Sequence, residues 1–162
     1  MAIIAEHELI FELQMPLSDA ASVDLLVSIL QKLPDLKIII NHLGWPPIDN
    51  QDRWNIWEHH IELLSQFKNV AVKLSGWEMM TPPNIKPFIS KHLLKKQTMT
   101  HCVKCFSIDR VMLASNFPLC LFEQSYQMYW QTMIAFIAKE IDLQISDIEK
   151  LCHKNAKHWY KF

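Results

Sequence analysis

The chain opens its patterned part with Leu9-Ile10-Phe11-Glu12-Leu13-Gln14, a short β-type run that Pro16 closes. Val23, Leu26, Val27 and Leu30 then recur at helical spacing, which predicts a helix with one buried face, capped by Ser18 or Asp19 and stopped by Pro34. Leu36-Lys37-Ile38-Ile39-Ile40-Asn41-His42 is a nearly unbroken apolar run rich in β-branched residues. That is the pattern of a strand covered on both faces. Gly44, Trp45, Pro46 and Pro47 break it. Helical period returns from Asp52 to Phe67 with Trp54, Trp57, Ile61 and Leu64, and Asn69 to Gly76 reads as a third strand with a sharp exit. Pro82 and Pro83 end the loop beyond it. A longer, more polar helix is expected from Ile85 to Phe106. Arg110 to Ser115 supplies a fourth short strand ended by Asn116-Phe117-Pro118, and Tyr126 to Ala138 is another amphipathic helix. Ser146-Asp147-Ile148-Glu149 reads as a capping box that opens a short final helix.

Strand starts near Leu9, Ile38, Val70 and Val111 recur every roughly 30 to 40 residues with a helical segment between them, which is a βα repeat. Parallel strands joined by right-handed helical crossovers follow from that order. The fold class expected is α/β, with four βα units. Eight such units close a barrel of ~250 residues, and four make half of one. A half barrel has two parallel edges and an open interior face, so it either flattens into a sandwich or closes against another half.

Composition narrows the function. Half the residues are apolar and a fifth are charged, as in a globular domain, and residues 1–162 are expected to be one domain. Sixteen basic and seventeen acidic side chains leave a net charge of −1. Only Arg53 and Arg110 among the basic ones are arginines, so neither a general phosphate-tracking surface nor a nucleic-acid partner is expected. The apolar runs are strand-sized and the first residues lack a basic leader, so the expectation is a cytoplasmic protein without a membrane partner. Four cysteines are too few for a disulfide scaffold and are expected as thiols. Only two glycines occur, where average usage of ~7 per cent predicts about eleven. Gly44 and Gly76 therefore mark positions with a special backbone demand.

In parallel α/β folds chemistry gathers at the carboxyl ends of the strands. Those ends carry Glu12 and Gln14, Asn41 and His42, Lys73 and Ser75, and Ser115 and Asn116. Strand alternation puts His42 on the face of Ile38 and Ile40, and puts Lys73 and Ser75 together on one face. His42 is read as a metal ligand or an acid/base group, or as a strand-end histidine bonded to a carbonyl. Lys73 either orients an anionic substrate, pairs with Glu12, or snorkels outward. Trp45 and Trp77 each follow a strand-end glycine and are positioned to wall a pocket. Met79 and Met80 read as packing. Cys102 and Cys105 form a C-x-x-C without a second close pair, so helix packing is expected over zinc or redox chemistry. His59 and His60 diverge on their helix and are expected at the surface.

Four blocks together carry a resemblance: Ile38-Ile39-Ile40-Asn41-His42-Leu43-Gly44-Trp45-Pro46, Asn69 to Gly76, Asp109 to Pro118, and Asn155-Ala156. In order and spacing they resemble the amidohydrolase-related family, TIM-barrel hydrolases that include sugar-lactone and pyrone-dicarboxylate lactonases. The resemblance implies the second half of that barrel, strands five to eight. It implies His42 as the strand-six histidine, Lys73 and Ser75 on strand seven, Asn116 at the strand-eight acid position, and Glu12 or Gln14 on strand five. The superfamily's usual H-x-H pair of the first strand is absent from this sequence. At strand eight many relatives carry Asp as the base that activates water, whereas Asn116 has no useful basicity.

The resemblance thus implies a hydrolase of small lactones or cyclic carboxylates, with His42, Lys73 and Asn116 in catalytic positions and Glu12, Gln14, Ser75, Trp45 and Trp77 around the substrate. The cofactor expected is none, or a single divalent zinc or manganese with His42 as its ligand. A homodimer or a complementing half barrel would complete the site. The alternative is a non-catalytic truncated paralogue that serves as a structural or interaction half.

Overall fold

A computed structural model of the chain describes residues 1–80 and 86–162. The elements run α1 (Ala2–Glu6), β1 (Ile10–Leu13), α2 (Ala20–Lys32), β2 (Lys37–Ile40), α3 (Gln51–Ser65), β3 (Val70–Leu74), α4 (Lys91–Phe106), β4 (Val111–Leu113), α5 (Tyr126–Glu140), α6 (Ile145–Glu149) and α7 (Asn155–Tyr160). The strands form one sheet in the order β1-β2-β3-β4, and every pairing is parallel. This is the expected βα repeat. Its strands are shorter at both ends than the sequence runs, because the end residues leave the ladder to build turns.

Alternation along the strands separates two cores. Ile38, Ile40, Val70, Val72, Val111 and Leu113 belong to the large cluster that also holds Leu26, Trp57, Leu64, Phe106 and Ile137 of the helices. Ile39, Ala71 and Met112 form a second cluster on the opposite face, sealed by Trp159 and flanked by Ile10, Ala156 and Tyr160. The inner face of the half barrel is therefore covered in part from within the chain. α7 returns beneath the sheet, and Trp159 is 6% exposed.

Two polar braces hold the amino ends of the strands. Arg110 donates to the carbonyls of Ser65, Phe67 and Val70, at the end of α3 where the helix leaves carbonyls unpaired. Buried Asn155 donates to Ile108 and Val111 at 2.6 and 2.7 Å, tying α7 to β4.

Several boundaries differ from the sequence expectations. α1 is a one-turn helix that no periodicity announced. α4 begins after Ser90, which accepts the amide of Leu93 as a side-chain cap, so its start lies inside the expected Ile85–Phe106 span. Pro82, Pro83 and Ile85 lie outside the described residues. The capping box sits two residues earlier than Ser146: Gln144 is the cap, and its amide donates to Asp147 Oδ2. Glu149, the carboxylate of the expected box, is instead paired with Lys154. α6 continues through a π turn, Lys150–Lys154, into α7. Among the described residues no helix is long and apolar enough to cross a membrane.

Candidate functional site

At the carboxyl end of β2 the backbone turns left-handed. His42, Leu43, Gly44 and Trp45 all have positive φ, between 51° and 67°, and Trp45 donates its amide to the His42 carbonyl. Three L-residues in this region cost ~1–2 kcal/mol each, so tertiary contacts must hold the turn. They are identifiable. Trp57 Nε1 donates to the Leu43 carbonyl at 2.7 Å, and Leu17 donates its amide to Gly44 O. Gly44 cannot carry a side chain, because a Cβ there would lie 2.4 Å from Leu17.

The turn redirects His42. Strict alternation would aim it with Ile38 and Ile40 at the helices, but the left-handed step brings the imidazole to the inner side, where Nδ1 and Ser75 Oγ are hydrogen-bonded at 2.9 Å. Gly76, with φ +83°, makes room: a Cβ would come within 2.9 Å of the ring. Trp45 meets the ring edge-on, 5.3 Å between centroids. Burial lowers the His42 pKa, aided by the Lys73 ammonium and opposed by Glu78 and Glu12. The imidazole is therefore neutral at neutral pH, and among the described residues Nε2 has no hydrogen-bond partner.

Beside it lies a charged cluster. Lys73 Nζ donates to Glu12 Oε1 at 2.8 Å, Asn41 Nδ2 donates to Glu12 Oε2 at 2.9 Å, and the Tyr160 hydroxyl donates to the same carboxylate. The Lys73 ammonium also stands 5.3 Å from the centre of the Tyr160 ring. Burial pushes the Glu12 pKa up, but these three donors and the lysine charge outweigh it and hold the carboxyl below its ordinary value. Asn41 Oδ1 is buried without a partner. Glu12, Asn41, His42 and Lys73, with Gln14, Ser75, Ala114, Ser115, Asn116 and Phe117, line an open cleft of about 340 Å³.

Most of the residues singled out in the sequence thus converge: Glu12, Gln14, His42, Lys73, Ser75 and Asn116 share the cleft. Two do not line it. Trp77 is 1% exposed in the core, its indole N–H donating to Thr98, because the turn after Gly76 folds it back under the helices. Trp45 supports His42 from behind the cleft. The Asn116 amide donates to Glu78 Oε1, so it faces a carboxylate. His60 is also not at the surface: its Nδ1 lies 2.5 Å from the Leu17 carbonyl and the residue is buried, whereas His59 is exposed. Sequence reasoning missed Glu78, which stands two residues past the strand-end glycine. It also missed Tyr160, which no local pattern could link to a glutamate 148 positions away.

The profile of the family described as Amidohydrolase matches residues 1–162. The chain belongs to the amidohydrolase family. It is 31% identical over 132 residues to a Sinorhizobium fredii protein described as Uncharacterized protein y4mH, covering 79% of this chain and 40% of that one. This amidohydrolase-family chain also superposes on the crystal structure of an amidohydrolase from Burkholderia multivorans with bound zinc, at TM-score 0.82 and 16% identity, over 99% of this chain and 55% of that one. A putative 2-pyrone-4,6-dicarboxylic acid hydrolase from Pseudomonas putida gives TM-score 0.73 at 21% identity, over 98% and 54%. At such identities the likeness shows the fold: four parallel βα units that correspond to about half of a TIM-barrel amidohydrolase. The chain spans 40% of its curated relative and about half the length of these structures.

Zinc in a relative raises the question of whether this rim fits a metal. In this amidohydrolase-family chain it does not do so alone. The rim holds one imidazole, and the carboxylate of Glu12 is already shared among an ammonium, an amide and a phenol. A zinc site needs three or four converging donors, and among the described residues no three His, Cys, Asp or Glu donor atoms converge at the cleft.

Proposed function

We propose that this chain is the carboxyl half of a hydrolase for small lactones or cyclic carboxylates, active once a second half barrel, from a homologous polypeptide or a second copy, completes the mouth. The observation that carries the reading is the neutral His42 imidazole, anchored through Nδ1 at the edge of a polar cleft and leaving Nε2 available. In the Nε2–H tautomer Ser75 donates to Nδ1, and Nε2–H is then a hydrogen-bond donor to the carbonyl oxygen of the substrate, where charge develops as water adds. Lys73 gives one of its three N–H donors to Glu12 and keeps the others for a substrate carboxylate. Asn41 orients Glu12 through its Nδ2 donor. The base that activates water comes from the completing half, since Asn116 is an amide bound to Glu78. The likeness to a putative 2-pyrone-4,6-dicarboxylic acid hydrolase supports a cyclic carboxylate as substrate.

The test is lactone and aryl-ester hydrolysis by the chain alone and co-expressed with the first half of a homologous barrel. His42→Ala should remove the activity of the completed enzyme, and hydrolysis that survives it ends the reading. A second reading, a non-catalytic half, is favoured by the mutual neutralisation of Glu12 and Lys73 and by the packing of α7 on the inner face. It predicts association with a second copy or a complementing half and no turnover in the resulting assembly.

A further inference from the structure

Outside the cleft, α3 and α4 bring together three side chains of different chemistry. His101 and Cys105 lie one turn apart on the same face of α4, and Glu62 faces them from α3. One donor atom from each lies within 4.8 Å of the other two. Sγ of Cys105 is 3.8 Å from Nε2 of His101. The edges of a zinc tetrahedron are ~3.3–3.8 Å, given Zn–N and Zn–S bonds of ~2.0 and ~2.3 Å. Trp57 packs against the His101 ring at 5.6 Å between centroids and holds it beside Cys105; the imidazole Nε2–H donates to the Glu58 carbonyl at 3.1 Å, a bond that a cation at Nε2 must displace by a small turn of the ring. The C-x-x-C spacing is not the relevant one: Cys102 points into the core, while Cys105 pairs with the histidine four residues before it.

We propose that Glu62, His101 and Cys105 bind one zinc-class divalent cation that clamps α3 to α4, independently of the cleft at the strand ends. Sulfur, imidazole and carboxylate together select zinc over magnesium or calcium. The fourth position is left to water. Cys105 is a free cysteine, and a dication at this position favours its thiolate. On binding, Cys105 releases its proton to solvent and the thiolate takes the metal. The His101 proton passes from Nε2 to Nδ1 by exchange with water, freeing the Nε2 lone pair. One proton leaves per cation and no oxidation state changes.

The experiment titrates the chelator-stripped full chain with Co²⁺, then displaces it with Zn²⁺. The expected result is one ion per chain, a near-ultraviolet thiolate-to-cobalt charge-transfer band, and a rise in Tm with zinc. Cys105→Ser, a substitution at a half-buried site, should fold normally and lose both the band and the Tm rise. His101→Gln should weaken binding, and His42→Gln should leave the band intact. No band in the unaltered chain, a band that persists in Cys105→Ser, or one that disappears in His42→Gln would overturn the assignment.

Discussion

The Cβ that Gly76 lacks would sit 2.9 Å from Nδ1 of His42. One glycine at the end of β3 thus sets the position of an imidazole at the end of β2. With φ at +83° as well, Gly76→Ala combines a disfavoured backbone with a displaced ring. The expected loss is ~1–3 kcal/mol of stability, read by denaturant unfolding, with a moved His42 resonance. Unchanged stability and an unmoved imidazole would contradict the close approach.

His42 also sets a pH dependence. Its pKa is lowered in the folded chain, so between the folded value and the unfolded value of ~6.5 the unfolded chain binds more protons. Stability therefore falls as pH drops below that unfolded value, and levels once the folded imidazole is protonated too. Comparing the native chain with His42→Gln at about pH 7.5 and about pH 5.5 isolates the term. The variant should lose less stability on acidification than the native chain does.

Asn155 offers a test of how the half barrel is tied off. Its amide spans the carbonyls of Ile108 and Val111, and Asn155→Ala leaves both facing a buried gap. A loss of ~1–3 kcal/mol is expected, with faster hydrogen exchange at α7 before β4. Exchange that speeds up only elsewhere would argue against the brace.

Trp159 bears on association. It seals Ile39, Ala71 and Met112, which lie in the would-be barrel interior. Trp159→Ala is expected to cost ~3–5 kcal/mol and to promote self-association as that face opens. Sedimentation of native and variant chains measures it, and a variant as monomeric as its parent would show that the inner face needs no cover.

Glu12 gives an acid-side prediction of the opposite origin. Its folded pKa lies below the unfolded one because Lys73, Tyr160 and Asn41 outweigh burial. Its contribution is present above the unfolded carboxyl value of ~4.3 and is lost as pH falls through the folded one. Glu12→Gln should flatten that limb in pH-dependent unfolding, and an identical limb in both chains would remove the role.

Much of the architecture was legible along the chain, because burial on a sheet or a helix leaves a short-period signature. The isoleucines of β2 and the Trp54, Trp57, Ile61, Leu64 spacing of α3 placed those elements within a few residues. The rarity of glycine singles out Gly44 and Gly76, and both are positive-φ positions packed too tightly for any side chain. The polar strand ends were assembled correctly at one rim. The side-chain face of His42 was not, since period-two alternation stops applying once four successive residues turn left-handed. Trp77 was misplaced for a related reason: a residue just past a strand has no periodicity to say whether it continues to the rim or folds under the helices.

By itself, then, the sequence determined the order of strands and helices, their parallel sense and the polar groups at the strand ends, because local periodicity and residue shape act over a few positions. Only tertiary structure decided which groups meet: His42 with Ser75, Lys73 and Tyr160 with Glu12, Asn116 with Glu78, and His101 and Cys105 with Glu62. Those pairs lie tens of residues apart, and their distances depend on packing between elements, which no local pattern encodes.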